Sequence, residues 1–193
     1  VVQDFWERFL GSLRELRRKR QRTVYRLTLL KGWNMAEVAD YAALLDVGRP
    51  GLVEIKAVTF SGKSDASSLT MKEVPWHDEV VEFARALAAS AGGRYGLACA
   101  HKHSCCVLLA DKEKYCKEGK WHTWIDYDCY HKLVRRYHAD GTPFSSEDYM
   151  AETPAWALFG SAEDGFDPQE TRHYRNGKSA ATAIEVRSRQ SNA

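Results

Sequence analysis

Apolar positions near the start of the chain repeat with the spacing of a helix. Between residues 2 and 20, large apolar side chains recur every three or four positions, at Phe5, Trp6, Phe9, Leu10, Leu13 and Leu16. This spacing predicts an amphipathic helix, because residues three and four apart share one helix face. The next segment, TVYRLTLL (23–30), is rich in β-branched and aromatic residues and predicts a strand.

Strand and helix patterns then alternate. Asn34 followed by Glu37 resembles a capping box, which predicts a helix that ends near the Gly-Arg-Pro-Gly sequence at 48–51. A second strand is predicted over 52–60, a polar loop over 61–70, a helix beginning near Pro75 and a third strand over 95–100. Such alternation predicts right-handed crossovers and parallel strands, as in α/β sheets or partial barrels.

The remainder of the chain lacks this regular alternation. The segments 105–110 and 121–125 predict an antiparallel hairpin, and 128–137 predicts a helix packed behind it. From Gly141 onward, aromatic residues without periodicity predict a tail docked on the surface. Beyond residue 178 large apolar residues are scarce, so we expect that stretch to be mobile.

The overall charge says little about possible partners, but one short stretch of the chain is strongly basic. Lysine and arginine total 28 against 26 acidic residues, and the net charge of +2 does not mark a nucleic-acid-binding protein. Six of the nine residues from 14 to 22 are basic, however. This run is either a phosphate-binding surface or the solvated end of the first helix.

The number of cysteines and the hydropathy of the chain indicate the cellular compartment. The five cysteines are an odd number without the spacing of a disulfide framework, which predicts free thiols in a reducing compartment. No apolar run is long enough to span a bilayer, and the first residues lack the order of a signal peptide. We therefore expect a cytoplasmic protein with no membrane partner.

Polar side chains follow each of the three predicted strands. In parallel α/β architectures, ligand-binding groups gather at the carboxyl ends of strands, where the connecting loops converge. The rule selects one group of residues for a shared rim: Lys31, Trp33, Asn34, Ser61, Lys63, Ser64, His101 and His103. Within it, Lys63 between two serines in a glycine-containing loop is suited to a carboxylate or a phosphate.

Three further patterns leave alternatives open. Glu54 and Lys56 share one face of the second strand, either towards a ligand or as an outward ion pair. The alternating Cys99, His101, His103 and Cys105 invite a zinc site, but same-face residues of a straight strand stand roughly 6.6 Å apart, so four cannot surround one ion. We predict no metal site from these residues. Four aromatic residues either stack on an unpaired base or pack in the core: Trp76, His77, Trp121 and Trp124.

Five stretches of the chain resemble eukaryotic tRNA 4-demethylwyosine synthases. They are KGWNM (31–35), VEIKAVTFSGKSDASSLTMKEVPWHDEVVEFA (53–84), YGLACAHKHSCCVLLA (95–110), GKWHTWIDYD (119–128) and TPAWALFGS with GFDP (153–168). The resemblance runs in order from about residue 24 to residue 176.

This resemblance implies a radical S-adenosylmethionine (SAM) lyase that condenses N1-methylguanosine of tRNA-Phe with pyruvate during wybutosine biosynthesis. In that family a CxxxCxxC motif binds a [4Fe–4S] cluster, and the motif is absent here. The resemblance places the cluster loop, the flavodoxin-like FMN domain and the lysine that binds pyruvate in the chain before residue 1. We therefore expect the isolated chain to be inactive.

The resemblance also implies a fold and roles for the selected residues. The expected fold is α/β: the C-terminal half of a partial (β/α)6 barrel with three β/α units over 1–110, then a wyosine-forming extension over 111–177 with an antiparallel hairpin, and a flexible tail over 178–193. Catalytic roles are expected for Lys63, His101 and His103, and SAM contacts for Lys31, Asn34, Glu54, Lys56, Ser61 and Ser64. Binding of tRNA is expected for Arg17, Arg18, Arg20, Trp76, His77, Trp121 and Trp124.

Two rival hypotheses remain at this stage. The chain is a tRNA-binding or packing module whose catalytic groups all lie upstream, or it is a metal-dependent hydrolase built on Cys99, His101 and His103.

Overall fold

A mixed sheet with helices on one face forms the centre of the protein. The computed structural model describes residues 3–62 and 68–170. Its main elements are α1 (Phe5–Leu16), β1 (Val24–Leu29), α2 (Val38–Gly48), β2 (Leu52–Ala57), α3 (His77–Ser90), β3 (Tyr95–His101) and β4 (Cys106–Asp111). The chain continues through α4 (Lys112–Tyr115), β5 (Cys116–Lys117), β6 (Lys120–Trp121), β7 (Trp124–Ile125), α5 (Tyr127–Asp140) and β8 (Met150–Ala151).

The α/β class and the three predicted strands are confirmed, but the predicted strand pairing is correct only in part. The sheet order is β1-β2-β4-β3, with β1 and β2 parallel and β4 antiparallel to both of its neighbours. Only a short helical turn at Lys102–Ser104 joins β3 to β4, which is too short for a crossover. The third strand is therefore not followed by a packing helix and does not extend a parallel wall.

The hairpin predicted from 105–110 and 121–125 is wrong in its partners. The first segment pairs with β2 and β3 in the central sheet. In the second segment, Trp121 pairs with Cys116 and Trp124 pairs with Ala151, in two separate two-stranded ladders. The sequence pattern located these strands but contained no signal for which strands they join.

The main core lies between the sheet and the three long helices. Alternating residues of β2 point into it, and Val53 and Ile55 are fully buried there. Helix α3 contributes Val80 and Leu87, which are also fully buried. Helices α1, α2 and α3 pack side by side on this face, so the opposite face of the sheet carries no helix from this group.

The chain after β4 packs on part of that opposite face. Leu52, Ala98, Ala110 and Tyr115 are buried together in a second, smaller core. The backbone amide of Phe159 donates to the carbonyl of Ala98 at 3.0 Å. The prediction of a docked aromatic tail after Gly141 is thus confirmed for the residues up to 170.

The predicted capping box at α2 is wrong. The side-chain oxygen of Asn34 accepts from the amide of Leu30 at 2.9 Å, and its Nδ2 donates to the carbonyl of Thr28 at 2.9 Å. Glu37 occupies the N-cap position and makes no side-chain capping bond. Asn34 therefore closes the turn after β1. An asparagine side chain can bond to nearby backbone groups instead of capping a helix, and Asn34 does so here.

Two other expectations concern the whole chain. All five cysteines have free thiols, as predicted. None of the helices within residues 3–62 and 68–170 has the length and apolar character needed to cross a membrane. The predicted domain boundaries stay a prediction, and the tail over 178–193 lies outside the described residues.

Candidate functional site

The carboxyl ends of β1, β2 and β3 present polar side chains on the face of the sheet that has no helices. Cross-strand pairing aligns Thr28 with Lys56, Lys56 with Cys106, and Cys106 with His101. Directly opposed residues share a face, so these four form one row across the whole sheet. We call this surface, together with the neighbouring pair Arg26 and Glu54, the open face.

Three open-face residues contact each other through Glu54. Its Oε2 lies 3.4 Å from Arg26 Nε, and its Oε1 accepts from the thiol of Cys106 at 3.8 Å. Burial and the charge of Glu54 raise the pKa of Cys106 to about 12. The thiol is therefore protonated at neutral pH and serves as a donor rather than as a nucleophile.

Lys56 is the cation on this face that has no acidic partner. It is half-buried, and it makes no salt bridge within the part of the chain that the structure describes. A partly desolvated ammonium without a counter-charge is costly. The ion pair between Glu54 and Lys56 is not formed, since Glu54 pairs with Arg26 instead, and the ligand-facing alternative stays a prediction.

A cavity of about 260 Å³ lies between the open face and the docked C-terminal segment. Its lining includes Cys99, His101, Cys106, Thr123, Trp124 and Trp156. The two tryptophan rings meet edge to face at 5.6 Å, and Thr123 Oγ1 lies 3.3 Å from Cys99 Sγ. Burial raises the pKa of Cys99 as well. The cavity thus combines aromatic walls with a few polar groups, the usual make-up of a small-molecule site.

Thr123 and Trp156 are site residues that the sequence patterns did not identify. Trp156 lies in a stretch without helical or strand periodicity, and Thr123 lies in the predicted strand 121–125 without a pattern that marks it as a site residue. The density of aromatic residues after Gly141 was the one sequence signal that this segment would form part of a cavity wall.

The two predicted catalytic histidines lie together at the edge of this cavity. The rings of His101 and His103 are 6.5 Å apart, and both contact Phe166, at 4.6 and 5.9 Å respectively. His101 Nδ1 lies 2.7 Å from Ser104 Oγ. Phe166 and Ser104 therefore orient the His101 ring, and the catalytic role of both histidines stays a prediction.

The geometry does not support a zinc centre. Among residues 3–62 and 68–170, no three histidine, cysteine or acidic side chains are grouped as metal ligands would be. Cys99, His101 and His103 are therefore not grouped as metal ligands in the described part of the chain, and the absence of a metal site stays a prediction.

The other predicted SAM-binding residues have different surroundings. Lys31 Nζ lies 2.5 Å from Glu79 Oε2 in the first turn of α3, and Asn34 is used by the turn after β1. The hydrogen bond that Lys31 donates lowers the pKa of Glu79. Ser61 is exposed where the loop after β2 begins. Lys63 and Ser64 lie outside the described residues.

The predicted tRNA-binding residues do not share one surface. Arg17, Arg18 and Arg20 are exposed after α1, where β1 begins, whereas Trp76 and His77 lie at the start of α3, near the opposite ends of the strands. The six residues of β1 separate the two groups by roughly 20 Å. Trp76 is 72% exposed. Burial lowers the pKa of His77, whose Nδ1 has no hydrogen-bond partner among the described residues.

The two remaining tryptophans also differ. The Trp121 ring packs so closely over Gly96 that a Cβ there would approach it to 2.9 Å. This packing favours the core alternative for Trp121, and its base-stacking role stays a prediction. Trp124 is 43% exposed and lines the cavity, where it remains a candidate.

Comparison with known proteins supports the resemblance found in the sequence. The family model for wyosine base formation matches residues 47–111, from the end of α2 through β4. A tRNA 4-demethylwyosine synthase of Oryza sativa is 55% identical over 95% of this chain, and that of Arabidopsis thaliana is 54% identical over 88%. The human enzyme TYW1 is 52% identical over 94% of this chain.

The matched relatives are much longer than this chain. It spans 28% of the rice enzyme, 26% of the Arabidopsis enzyme and 25% of the human one. A solved structure of TYW1 with a lysine–pyruvate adduct bound matches 57% of this chain and 34% of its own length, at a TM-score of 0.51 and 24% identity. At that identity the likeness supports the fold alone.

Proposed function

Because this chain belongs to the family of S-adenosyl-L-methionine-dependent tRNA 4-demethylwyosine synthases, we propose that it forms the C-terminal part of such an enzyme and one wall of its reaction chamber. The observation that carries the proposal is the 55% identity to a curated synthase over 95% of the chain. The wyosine-formation match includes β2, β3 and β4, the strands that hold most of the open face.

The proposed reaction is the one that the family resemblance implies. N1-methylguanosine of tRNA-Phe would condense with pyruvate, and SAM, when bound, would supply the radical that starts the reaction. The open face fits a small zwitterion such as SAM, because Lys56 offers an unpaired cation for a carboxylate and Glu54 an acceptor for an ammonium or hydroxyl group. The protonated Cys106 thiol keeps Glu54 oriented.

The residues of this chain do not fit an iron–sulfur cluster. Such a cluster needs several thiolates converging on one point, and the chain has no CxxxCxxC motif. Burial raises the pKa of Cys99, and burial together with the charge of Glu54 raises that of Cys106. We therefore assign the cluster, and the FMN of the flavodoxin-like domain, to protein segments outside this sequence.

The free edge of β1 is where those segments would join. Within the described residues β1 pairs only with β2, so its other edge carries no strand, although the carbonyl of Thr28 on that edge accepts from Asn34 Nδ2. A parallel strand added there would extend β1 and β2 towards the partial barrel that the resemblance implies. In this arrangement the helices remain outside and the open face lines the interior.

A packing module with all catalytic groups upstream is the second candidate function. The observation that favours it is that Lys31 and Asn34 already have structural partners. The cytoplasmic location expected from the sequence stays a prediction under either function.

Substitutions on the open face distinguish the two functions. In a full-length synthase that carries this chain, we expect Lys56→Met and Glu54→Gln each to lower the yield of 4-demethylwyosine in tRNA-Phe by at least about tenfold, the effect of removing one charged hydrogen bond. Mass spectrometry of nucleosides from digested tRNA measures the product. Lys117→Met, an exposed lysine on the β5–β6 hairpin, is the control. Full product yield from both open-face variants would favour the packing module.

The predicted catalytic residues are tested in the same assay. We expect Lys63→Ala and His103→Ala to reduce product formation. Unchanged yield would remove those two assignments without affecting the role of the open face.

A further inference from the structure

One side of α5 and the loop after it form an open aromatic groove that the proposed chemistry does not use. The groove has a volume of about 610 Å³, and its lining includes Tyr130, Val134, Tyr137, Phe144 and Tyr149. None of the residues of α5 is buried. Because the apolar side of this amphipathic helix is so little buried, the core does not depend on it. The apolar side is therefore available to a ligand.

The rings of the groove support each other edge to face. Tyr130 lies 5.0 Å from Tyr149, and Phe144 lies 6.1 Å from Tyr149 and 6.3 Å from Tyr137. Tyr137 remains 51% exposed at the margin of this cluster. The supporting rings limit its motion, which reduces the entropy cost when a flat ligand stacks on it.

Hydrogen bonds attach the basic segment (residues 14–22) to the wall of the groove. Gln21 Nε2 donates to the carbonyl of Phe144 at 2.7 Å, and the hydroxyl of Tyr149 donates to Gln21 Oε1 at 2.9 Å. The amide of Ser146 donates to the carbonyl of Arg20 at 3.1 Å. The end of the basic segment, from Arg20 to Arg22, is thus held beside the aromatic rings, whereas Arg17 and Lys19 line a neighbouring cavity together with Asp111, Glu113 and Glu147.

Several of these cations are available to a ligand. Arg18 pairs with Glu15, but Arg17, Lys19 and Arg20 are exposed and make no salt bridge inside residues 3–62 and 68–170. Six basic residues and one acidic residue lie between 14 and 22, in a chain whose net charge is only +2. The positive charge is therefore concentrated in the segment that leads to the groove.

We propose that the groove and the basic segment together bind an unpaired stretch of the tRNA substrate. Arg17, Lys19 and Arg20 contact the phosphates, while a base stacks against Tyr137. Single-stranded RNA is bound by this combination of a cationic track and aromatic rings. A protein partner would match the apolar groove but not the adjacent positive charge.

The position of this surface determines which part of the tRNA it contacts. It lies where β1 begins, at the opposite end of the strands from the histidines and the rim. The surface therefore holds a part of the tRNA away from the guanosine being modified. This proposal rests on the proposed function only where it identifies the bound RNA as tRNA.

Three substitutions on α5 test the stacking interaction. Binding of a tRNA-Phe transcript by the full-length synthase is measured by fluorescence anisotropy. We expect Tyr137→Leu to weaken binding roughly five- to hundredfold, the range for removal of one base–aromatic stack, and Tyr137→Phe to bind like the parent. The control is Tyr127→Leu, since Tyr127 is a 61% exposed tyrosine on the same helix that does not line the groove.

Charge removal tests the phosphate interactions independently. We expect the triple variant Arg17→Ala, Lys19→Ala, Arg20→Ala to weaken binding and to flatten the dependence of log Kd on log salt by roughly 0.7 for each phosphate that is no longer neutralised. The control, Lys117→Ala with Lys120→Ala, removes two exposed charges from the β5–β6 hairpin. Its salt dependence should equal that of the parent.

Two results would overturn the proposal. The first is unchanged tRNA affinity and salt dependence in both Tyr137→Leu and the triple variant. The second is that Tyr137→Leu only changes self-association in gel filtration, which would make the groove an interface between copies. Neither result affects the proposed function, because the open-face variants are judged by product yield and not by affinity.

Discussion

The Cys106 thiol shows how its surroundings decide the chemistry of one residue. Its position in the sequence, beside Cys105 and two residues after the His103–Ser104 pair, is equally compatible with a ligand, a nucleophile or a core residue. In the folded chain, burial and Glu54 raise its pKa to about 12. The residue is consequently a hydrogen-bond donor to Glu54 at neutral pH.

These raised pKa values predict a loss of stability in alkali. Burial raises the pKa of Cys106 from 9.0 to about 12 and that of Tyr25 from 10.0 to about 12. Both groups are neutral in the fold and bind their protons more tightly than in the unfolded chain. Their contribution is complete below pH 9 and is lost as the pH rises towards 12. Urea denaturation at a series of pH values should show a constant free energy of unfolding from pH 7 to 8.5 and a decline above pH 9.

Cys106→Ala serves as the comparison for this titration. Its decline above pH 9 should be shallower than that of the parent, because Cys99 and the buried tyrosines still titrate there. An identical profile for the parent and the variant would show that Cys106 is not buried as described.

At the scale of elements, the docking of the C-terminal segment depends on close approach to the sheet. Trp121 of β6 packs over Gly96 of β3, and Tyr115 packs over Gly51 next to β2. Arg22 also binds the C-terminal segment. Its Nη1 donates to the carbonyl of Thr123 at 2.5 Å, and its Nη2 donates to the carbonyl of Trp124 at 3.0 Å. Small residues on the sheet and one arginine thus hold the C-terminal segment in place.

Two glycine substitutions distinguish the effect of close packing on stability from the effect of helix propensity. Gly96→Ala places a Cβ 2.9 Å from the Trp121 ring, and we expect it to lower the free energy of unfolding by about 1–3 kcal/mol. Gly11→Ala, in the middle of α1, meets nothing within 4 Å and should raise stability by about 0.5–1 kcal/mol. Urea denaturation of both variants provides the measurement. A neutral Gly96→Ala would mean that Trp121 does not pack as described.

At the scale of the whole molecule, the two proposed binding surfaces lie at different ends of the strands. The open face, the cavity and the two histidines lie on one side of the sheet, and the aromatic groove lies at its other end. Under the proposed function, one tRNA would contact both surfaces.

The isolated chain is expected to be inactive. Incubated with SAM, pyruvate, a reductant and tRNA-Phe, it should yield no 4-demethylwyosine in nucleoside analysis, because it has no CxxxCxxC motif. A full-length synthase under the same conditions is the positive control. Product formed by the chain alone would contradict the assignment of the cluster to another segment.

The sequence by itself determined which elements form and which family they belong to. Periodicity located α1, β1, β2, α3 and β3, because each element carries its own alternation of apolar and polar residues. It also placed Glu54 and Lys56 on the same face of β2, since the period of a strand is two. The family followed from ordered stretches such as residues 53–84.

Only the tertiary structure decided which elements are neighbours. It inserted β4 between β2 and β3, joined Arg26 and Cys106 through Glu54, and used Asn34 in a turn. It also formed the aromatic groove from Gln21, α5 and the loop that contains Phe144, which are far apart along the chain. Such contacts depend on strand pairing and side-chain packing between distant segments, which local periodicity does not encode.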